Sequence, residues 1–277
     1  MNYGNSSPAA CPSLEGNRHI ARITLSEEEL YNSMRPLKNE PNALVLQTAN
    51  RYKISWKATN SVLANDLLLR EVQKAVPSMR GRLLDVGCGE KPYKGILSPH
   101  VSSYVGIDLP QTIHAQCEID SFANAHHLPF KKEAFDTVLC LEALEHVERP
   151  LDVIKEIYAV LRKGGTLILS APQNYCLHND PADFYRFTKQ GLAELVGNQA
   201  GFTIRYIHSL GGTREFLFDA LCKWLFLKVH AGILGRILPR TLKKFIVTAP
   251  QVLYLAVFRN TDINVLFSLG NIVVAVK

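Results

Sequence analysis

Paired cysteines, uninterrupted apolar runs, internal repeats and low-complexity tracts are all missing from this sequence of 277 residues. Its six cysteines (Cys11, Cys88, Cys117, Cys140, Cys176 and Cys222) include no C-x-x-C pair. A chain this long and apolar does not need a disulfide framework, so they read as free thiols of a reducing compartment. Met1 to Ile20 has no basic start followed by an apolar stretch, so no secretory signal is expected and the predicted location is cytoplasmic. A membrane-spanning helix needs about 20 mostly apolar residues. The two longest candidates fail this: Glu215–Leu234 carries Asp219, Lys223 and Lys228, and Leu242–Arg259 carries Lys243, Lys244, Pro250 and Gln251.

With 47% hydrophobic and 20% charged residues, the composition is that of a globular protein, and the length suits one large α/β domain with additions. The net charge of +6 is unevenly placed. Between Gly211 and Lys277 nine basic residues face three acidic ones, and the rest of the chain is balanced. All of the excess positive charge thus lies in the most apolar part of the chain. That combination predicts contact with an anionic membrane surface through residues 213–259, or with an amphiphilic substrate, ahead of nucleic acid.

Residues 1–57 read as a partly irregular arm with one short helical candidate at Ser26–Leu30, where Ser26 and Glu29 have capping-box spacing. A helix follows over Ala58–Val76 and stops at Pro77. Strands at Arg82–Val86, Ser103–Asp108, Ala115–Ile119, Phe135–Leu141, Thr166–Ala171 and Phe202–His208 then alternate with helices at Leu151–Leu161 and Lys189–Gln199. These are continuous apolar runs, as expected of a parallel sheet covered by helices on both faces. The division predicted is a core over 58–212, a basic amphipathic helical insert over 213–264, and a terminal strand of the core sheet over 265–277. In the first insert helix Glu215, Asp219, Lys223 and His230 share one narrow stripe, leaving a broad apolar face with Phe216, Trp224 and Leu225 near its margins.

The turn after the first strand, Asp85-Val86-Gly87-Cys88-Gly89, has glycine where the backbone must bend sharply and come close to a ligand. A dinucleotide-binding fingerprint would continue with Gly or Ala three residues on, and position 92 is Pro92. Asp108 ends the second strand, where an acid accepts hydrogen bonds from the ribose of an adenosine cofactor. The adjacent His126 and His127 have no Cys or His at ligand spacing nearby, and no metal is expected.

Together with Leu83–Gly89 and Val105–Asp108, the segments Asn124–Phe130, Phe135–Val138 and Val160–Leu167 resemble the class I S-adenosylmethionine-dependent methyltransferases. The likeness covers roughly residues 60–210 and the terminal strand. It implies a Rossmann-like sheet of seven strands with the last antiparallel, and S-adenosyl-L-methionine as cofactor. It places Asp85, Gly87, Cys88, Gly89, Asp108, Leu109, Asn124, Ala125 and Leu141 at the cofactor. Where the family often has an acid, this sequence has Asn124, whose carbonyl can still accept from the adenine amino group.

Candidate acid–base residues fall in two segments. Glu142–Val147 contains His146, and His178–Thr188 contains His178 and Tyr185; the latter resembles the H-x-x-P-x-D-[FW]-x-R-[YF]-T loop of one branch of type 11 methyltransferase domains. Asp183 and Arg186 are expected to fold that loop as an ion pair, and Thr188 to cap the next helix. The expected function is methyl transfer to a small-molecule or lipid-like acceptor, whose identity fold-level likeness does not select. The alternatives are an inactive methyltransferase-fold protein that binds a membrane or partner, and an NAD(P)-dependent oxidoreductase.

Overall fold

In the computed structural model the described residues are 62–110, 112, 116–178, 181–231, 249–254 and 266–277, with 239, 242 and 246. The N-terminal arm with its Ser26 candidate, residues 58–61 and most of Leu242–Arg259 lie outside them.

Seven strands form one sheet: β1 (Arg82–Val86), β2 (Ser103–Asp108), β3 (Ser121–Phe122), β4 (Phe135–Leu141), β5 (Leu161–Pro172), β6 (Thr203–Leu210) and β7 (Gly270–Val276). Their order is β3-β2-β1-β4-β5-β7-β6. The pairings from β3 through β5 are parallel, and β7 runs antiparallel to both β5 and β6. This is the class I methyltransferase sheet that the sequence implied.

Alternate residues of each central strand point to opposite faces, which divides the core in two. Leu84, Val138, Cys140, Leu167, Leu169 and Val273 face one cluster, and Leu83, Leu139, Ile168, Ile272 and Val274 face the other. The first face is covered by α3 (Pro150–Val160) and α4 (Lys189–Ala193), the second by α1 (Val62–Ala75) and the short α2 (Lys94–Leu97). In α3, Pro150 occupies the first turn, where its missing N–H is harmless, and Val153, Ile154, Ile157 and Val160 recur at helical spacing as its buried stripe. Thr188 caps α4 by accepting the Gly191 N–H at 3.0 Å.

Two expectations need correction. The strand predicted at Ala115–Ile119 is replaced by a helical turn at Gln116–Glu118, and β3 begins only at Ser121. Asp120 is the reason: its N–H donates to the Gly106 carbonyl and its carboxylate accepts the Gly106 N–H, so it takes both backbone groups of Gly106 itself. The second concerns α5 (Thr213–Ala231), which realises the first insert helix. Its polar stripe faces inward: Glu215 is 5% and Asp219 2% exposed, while Leu217, Leu221 and Trp224 lie outside at 60%, 57% and 56%. Glu215 has a partner from a distant segment, which periodicity cannot reveal, and Asp219 has its stripe neighbour four residues on. Glu215 accepts from the Tyr254 hydroxyl and the Gly212 N–H, and Asp219 pairs with Lys223 at 2.5 Å.

Leu167 is wholly buried in β5. Leu167→Ala should lower stability by about 2–5 kcal/mol, whereas Leu217→Ala should stay within about 0.5 kcal/mol of wild type. Urea unfolding of both variants checks the assignment of inner and outer faces.

Candidate functional site

The turn between β1 and α2 is built on β2. The N–H groups of Gly87 and Cys88 both donate to the Ile107 carbonyl, at 2.9 and 3.0 Å, and the Gly89 N–H donates to the Asp108 carboxylate at 2.9 Å. Gly87 and Gly89 have φ of 73° and 50°, which favour residues without a Cβ. A Cβ at Gly87 would also stand 2.7 Å from that of Ala143, just past β4. The turn therefore offers a ligand bare backbone. The Cys88 side chain points inward, and burial raises its thiol to about 12; only its backbone remains for a ligand.

Asp108, at the end of β2, accepts from Gly89 and from its own neighbour Leu109 at 2.7 Å. Leu109 and Phe122 beside it are 45% and 47% exposed. A fixed carboxylate next to open apolar surface fits a ribose and an aromatic base, and Phe122 is a contributor that the sequence reading did not include. Ala125 is half-buried close by. The Asn124 side-chain carbonyl accepts from the His126 N–H at 2.9 Å and lies 2.9 Å from His126 Nδ1.

Asp85 is 5% exposed, and burial raises its carboxyl to about 6 in spite of the hydrogen bond from Tyr104 at 2.5 Å and the nearby Lys91. Lys91 is itself buried and paired with Asp120. Sequence pattern marked neither Lys91 nor Tyr104, because each acts across the sheet from its own stretch of chain.

The chain after β4 forms the other wall. Leu141 is half-buried, and Glu142 holds a left-handed φ of 49°, fixed by its N–H to Ser170 Oγ and by the Ser170 hydroxyl donating to its carboxylate at 2.7 Å. Glu145 and His146 follow in a helical turn at Leu144–His146. His146 does not cap α3, whose N-cap Arg149 has no side-chain cap bond; its ring meets that of His178 edge-on, centroids 4.7 Å apart.

His178 comes from the loop after β5, and that loop is folded by Asp183 and Arg186, paired at 2.6 and 2.8 Å. Asp183 also accepts the His178 N–H at 2.8 Å, and the Arg186 guanidinium holds its carboxyl well below the usual carboxylate range. Phe184 and Tyr185 dock their N–H groups on the Glu145 carbonyl, and the Tyr185 hydroxyl donates to the Glu148 carbonyl at 2.9 Å. Burial lowers the His178 pKa, so the ring is neutral near pH 7 with a nitrogen lone pair to offer. Lys223 of α5 lies 3.6 Å over the Tyr175 ring, which in turn touches His178. The structure thus joins His146, His178 and Glu145 in one cluster, and stations Tyr185 at its edge.

Comparison with known proteins bears on the fold and on the stretch from β1 to β5. Residues 84–169 match the model of the methyltransferase domain. A ubiquinone biosynthesis O-methyltransferase of Pseudomonas fluorescens is 24% identical over 173 residues, which is 53% of this chain and 75% of that protein. One from Haemophilus ducreyi is 34% identical over 128 residues, 39% of this chain and 52% of that protein. The chain thus spans between about half and three quarters of these relatives' length. Among solved structures, a methyltransferase from Thermotoga maritima aligns over 83% of this chain and 97% of its own, with a TM-score of 0.51 and 17% identity, a likeness of fold.

Because its folded pKa is raised, Asp85 favours the folded state below about pH 4, and this contribution is lost as pH rises to about 6, a swing of about 3 kcal/mol. Asp85→Asn should be more stable than wild type at pH 7 by up to that amount and should gain nothing at pH 4. Urea unfolding across this range provides the measurement, and parallel curves for the two proteins would refute the assignment.

Proposed function

We propose that the chain is a class I S-adenosylmethionine-dependent methyltransferase and that it methylates a hydroxyl-bearing small-molecule or lipid-like acceptor. The carrying observation is that the glycine turn and the Glu145–His146–His178 cluster adjoin. Gly87 stands against Ala143, two residues before Glu145 in the same turn. When bound, S-adenosylmethionine supplies an electrophilic methyl group on a positively charged sulfur. Asp108 with Leu109, Phe122 and Ala125 would hold its adenosine. The Gly87–Gly89 backbone and Asp85 would hold the methionine end, where ionised Asp85 can meet an ammonium group.

On the acceptor side, neutral His178 has a lone pair with which to take a hydroxyl proton, and Tyr185 and His146 border the same space. The relatives from Pseudomonas and Haemophilus are O-methyltransferases by name, which supports an oxygen acceptor. The oxidoreductase alternative has against it Pro92 and the methyltransferase match over residues 84–169.

A second reading concerns the surface of α5. Leu217, Leu221 and Trp224 follow one another at helical spacing and are exposed, in the segment that holds the excess positive charge. This supports docking on an anionic lipid surface, with the acceptor reached from the membrane. No helix among the described residues is long and apolar enough to cross a membrane. Vesicles containing anionic lipid should co-sediment the protein, and the double variant Leu221→Asp, Trp224→Asp should stay in solution.

Calorimetric titration should show binding of S-adenosylmethionine and S-adenosylhomocysteine but not of NAD, with Asp108→Ala weakening both by about tenfold or more, equivalent to at least about 1.4 kcal/mol. His178→Ala should lower the turnover of any acceptor found by mass spectrometry of treated extracts by about 100-fold. Absence of binding by the first two ligands would overturn the proposal.

A further inference from the structure

The Glu145–His146–His178 cluster is short of positive charge. His146 Nδ1 lies 2.6 Å from the Ala182 carbonyl, and His178 Nδ1 lies 3.2 Å from the Cys176 carbonyl and 3.5 Å from the Asp183 carboxylate. Carbonyls and carboxylates only accept, so in each ring Nδ1 carries a hydrogen, which leaves Nε2 as the nitrogen able to bind a cation. Both Nε2 atoms face the same oxygen: they are 3.6 Å and 3.9 Å from Glu145 Oε1. That carboxylate has 1% side-chain exposure, and neither of its oxygens has a hydrogen-bond partner. With Glu145 ionised, three acceptors converge with no donor among them, an expensive arrangement for a buried anion, and burial together with the nearby Glu142 carboxylate accordingly pushes the Glu145 pKa well up. Arg186 also acts on Glu145, but its guanidinium is engaged by Asp183, and the Glu142 carboxylate adds further negative charge.

We propose that Glu145 Oε1, His146 Nε2 and His178 Nε2 bind one first-row divalent cation. Two imidazole nitrogens and a carboxylate oxygen suit ions of the manganese-to-zinc series. Donor atoms around one such ion, at about 2.1 Å from it, sit about 3–3.5 Å apart. The three atoms here already lie within 4.8 Å of one another, so side-chain shifts of about 1 Å or less close the site. The Nδ1–H bonds to Ala182 and Cys176 are the outer bonds that hold metal-binding imidazoles in tautomer and orientation. With three protein donors, a position stays open, and the partly exposed rings of His146 and His178 place it toward solvent, on the acceptor side.

The role of the ion rests on the methyltransferase reading, although its binding does not. A cation there would hold the acceptor hydroxyl and make it more acidic; the role of base given to His178 above belongs to the metal-free site, and with its Nε2 on the ion the proton would pass to water, His178→Ala lowering turnover in either case. The pairing was hidden in the sequence because His178 lies far along the chain from Glu145 and His146, across α3 and β5.

The 277-residue chain, stripped with chelator and dialysed, is titrated with Co²⁺ and, separately, with Mn²⁺. One equivalent of Co²⁺ should bind and give a visible d–d spectrum, and Glu145→Gln and His178→Gln should each weaken uptake tenfold or more while keeping the wild-type circular dichroism. Absence of stoichiometric uptake, or equal uptake by wild type and both variants, would overturn the site and leave Glu145 as a carboxylic acid shared with the two rings. S-adenosylhomocysteine binding, measured on the same samples, reports on the methyltransferase reading separately: its failure would count against that reading, and metal uptake would still decide the site.

Discussion

The arrangement depends on one close approach, that of Gly87 to Ala143. β1 and β4 are parallel neighbours, with Leu83 opposite Thr137 and Asp85 opposite Leu139, so their carboxyl ends finish side by side. Both chains then turn away with positive φ, which Gly87 and Gly89 adopt freely in one and which strains Glu142 in the other. At their meeting point there is no room for a further methyl group. The cofactor wall and the acceptor wall are thereby fixed to each other by the sheet itself. Loops placed by parallel strands in this way reproduce a geometry that free surface segments could not hold.

Two carboxylates show what such a site asks of the fold. Asp85 and Glu145 are both buried, and burial works against ionisation in each. Elsewhere in the molecule buried acids are paired, as Glu215 is with Tyr254 and Asp219 with Lys223. Among the described residues the Asp85 carboxyl has only a phenol for a direct hydrogen bond, and neither carboxyl oxygen of Glu145 has a partner. Stability alone would favour neutral residues at both positions. Their presence where the two walls meet is what a ligand that brings positive charge would explain, an ammonium group at the first and a metal ion at the second.

Most of the sheet was legible in the sequence because apolar runs covered on both faces leave an unbroken signal. Arg82–Val86, Ser103–Asp108 and Phe135–Leu141 are strands over the same residues that were predicted. The third strand was misplaced because a single side chain, that of Asp120, does the pairing that the preceding residues were expected to do. In α5, periodicity correctly grouped Glu215 with Asp219 and Lys223, but it carries no information on which group turns inward. That choice was made by Tyr254 and by the Gly212 N–H. At the site, the glycine turn and Asp108 could be read as local motifs. The cluster around Glu145 could not, since His178 joins Glu145 and His146 from a separate crossing of the sheet.

The place of β7 has a consequence for how the chain is made. Among the described residues β6 pairs with β7 alone, and β7 fills the gap between β6 and β5. During synthesis from the amino terminus, β5 and β6 must therefore wait, each with an open hydrogen-bonding edge, until residues 270–276 have left the ribosome. Those residues are almost wholly buried and apolar. The nascent protein thus passes through a state with two sticky edges and an empty slot between them, and chaperone attendance in that interval would decide how much of it reaches the native sheet.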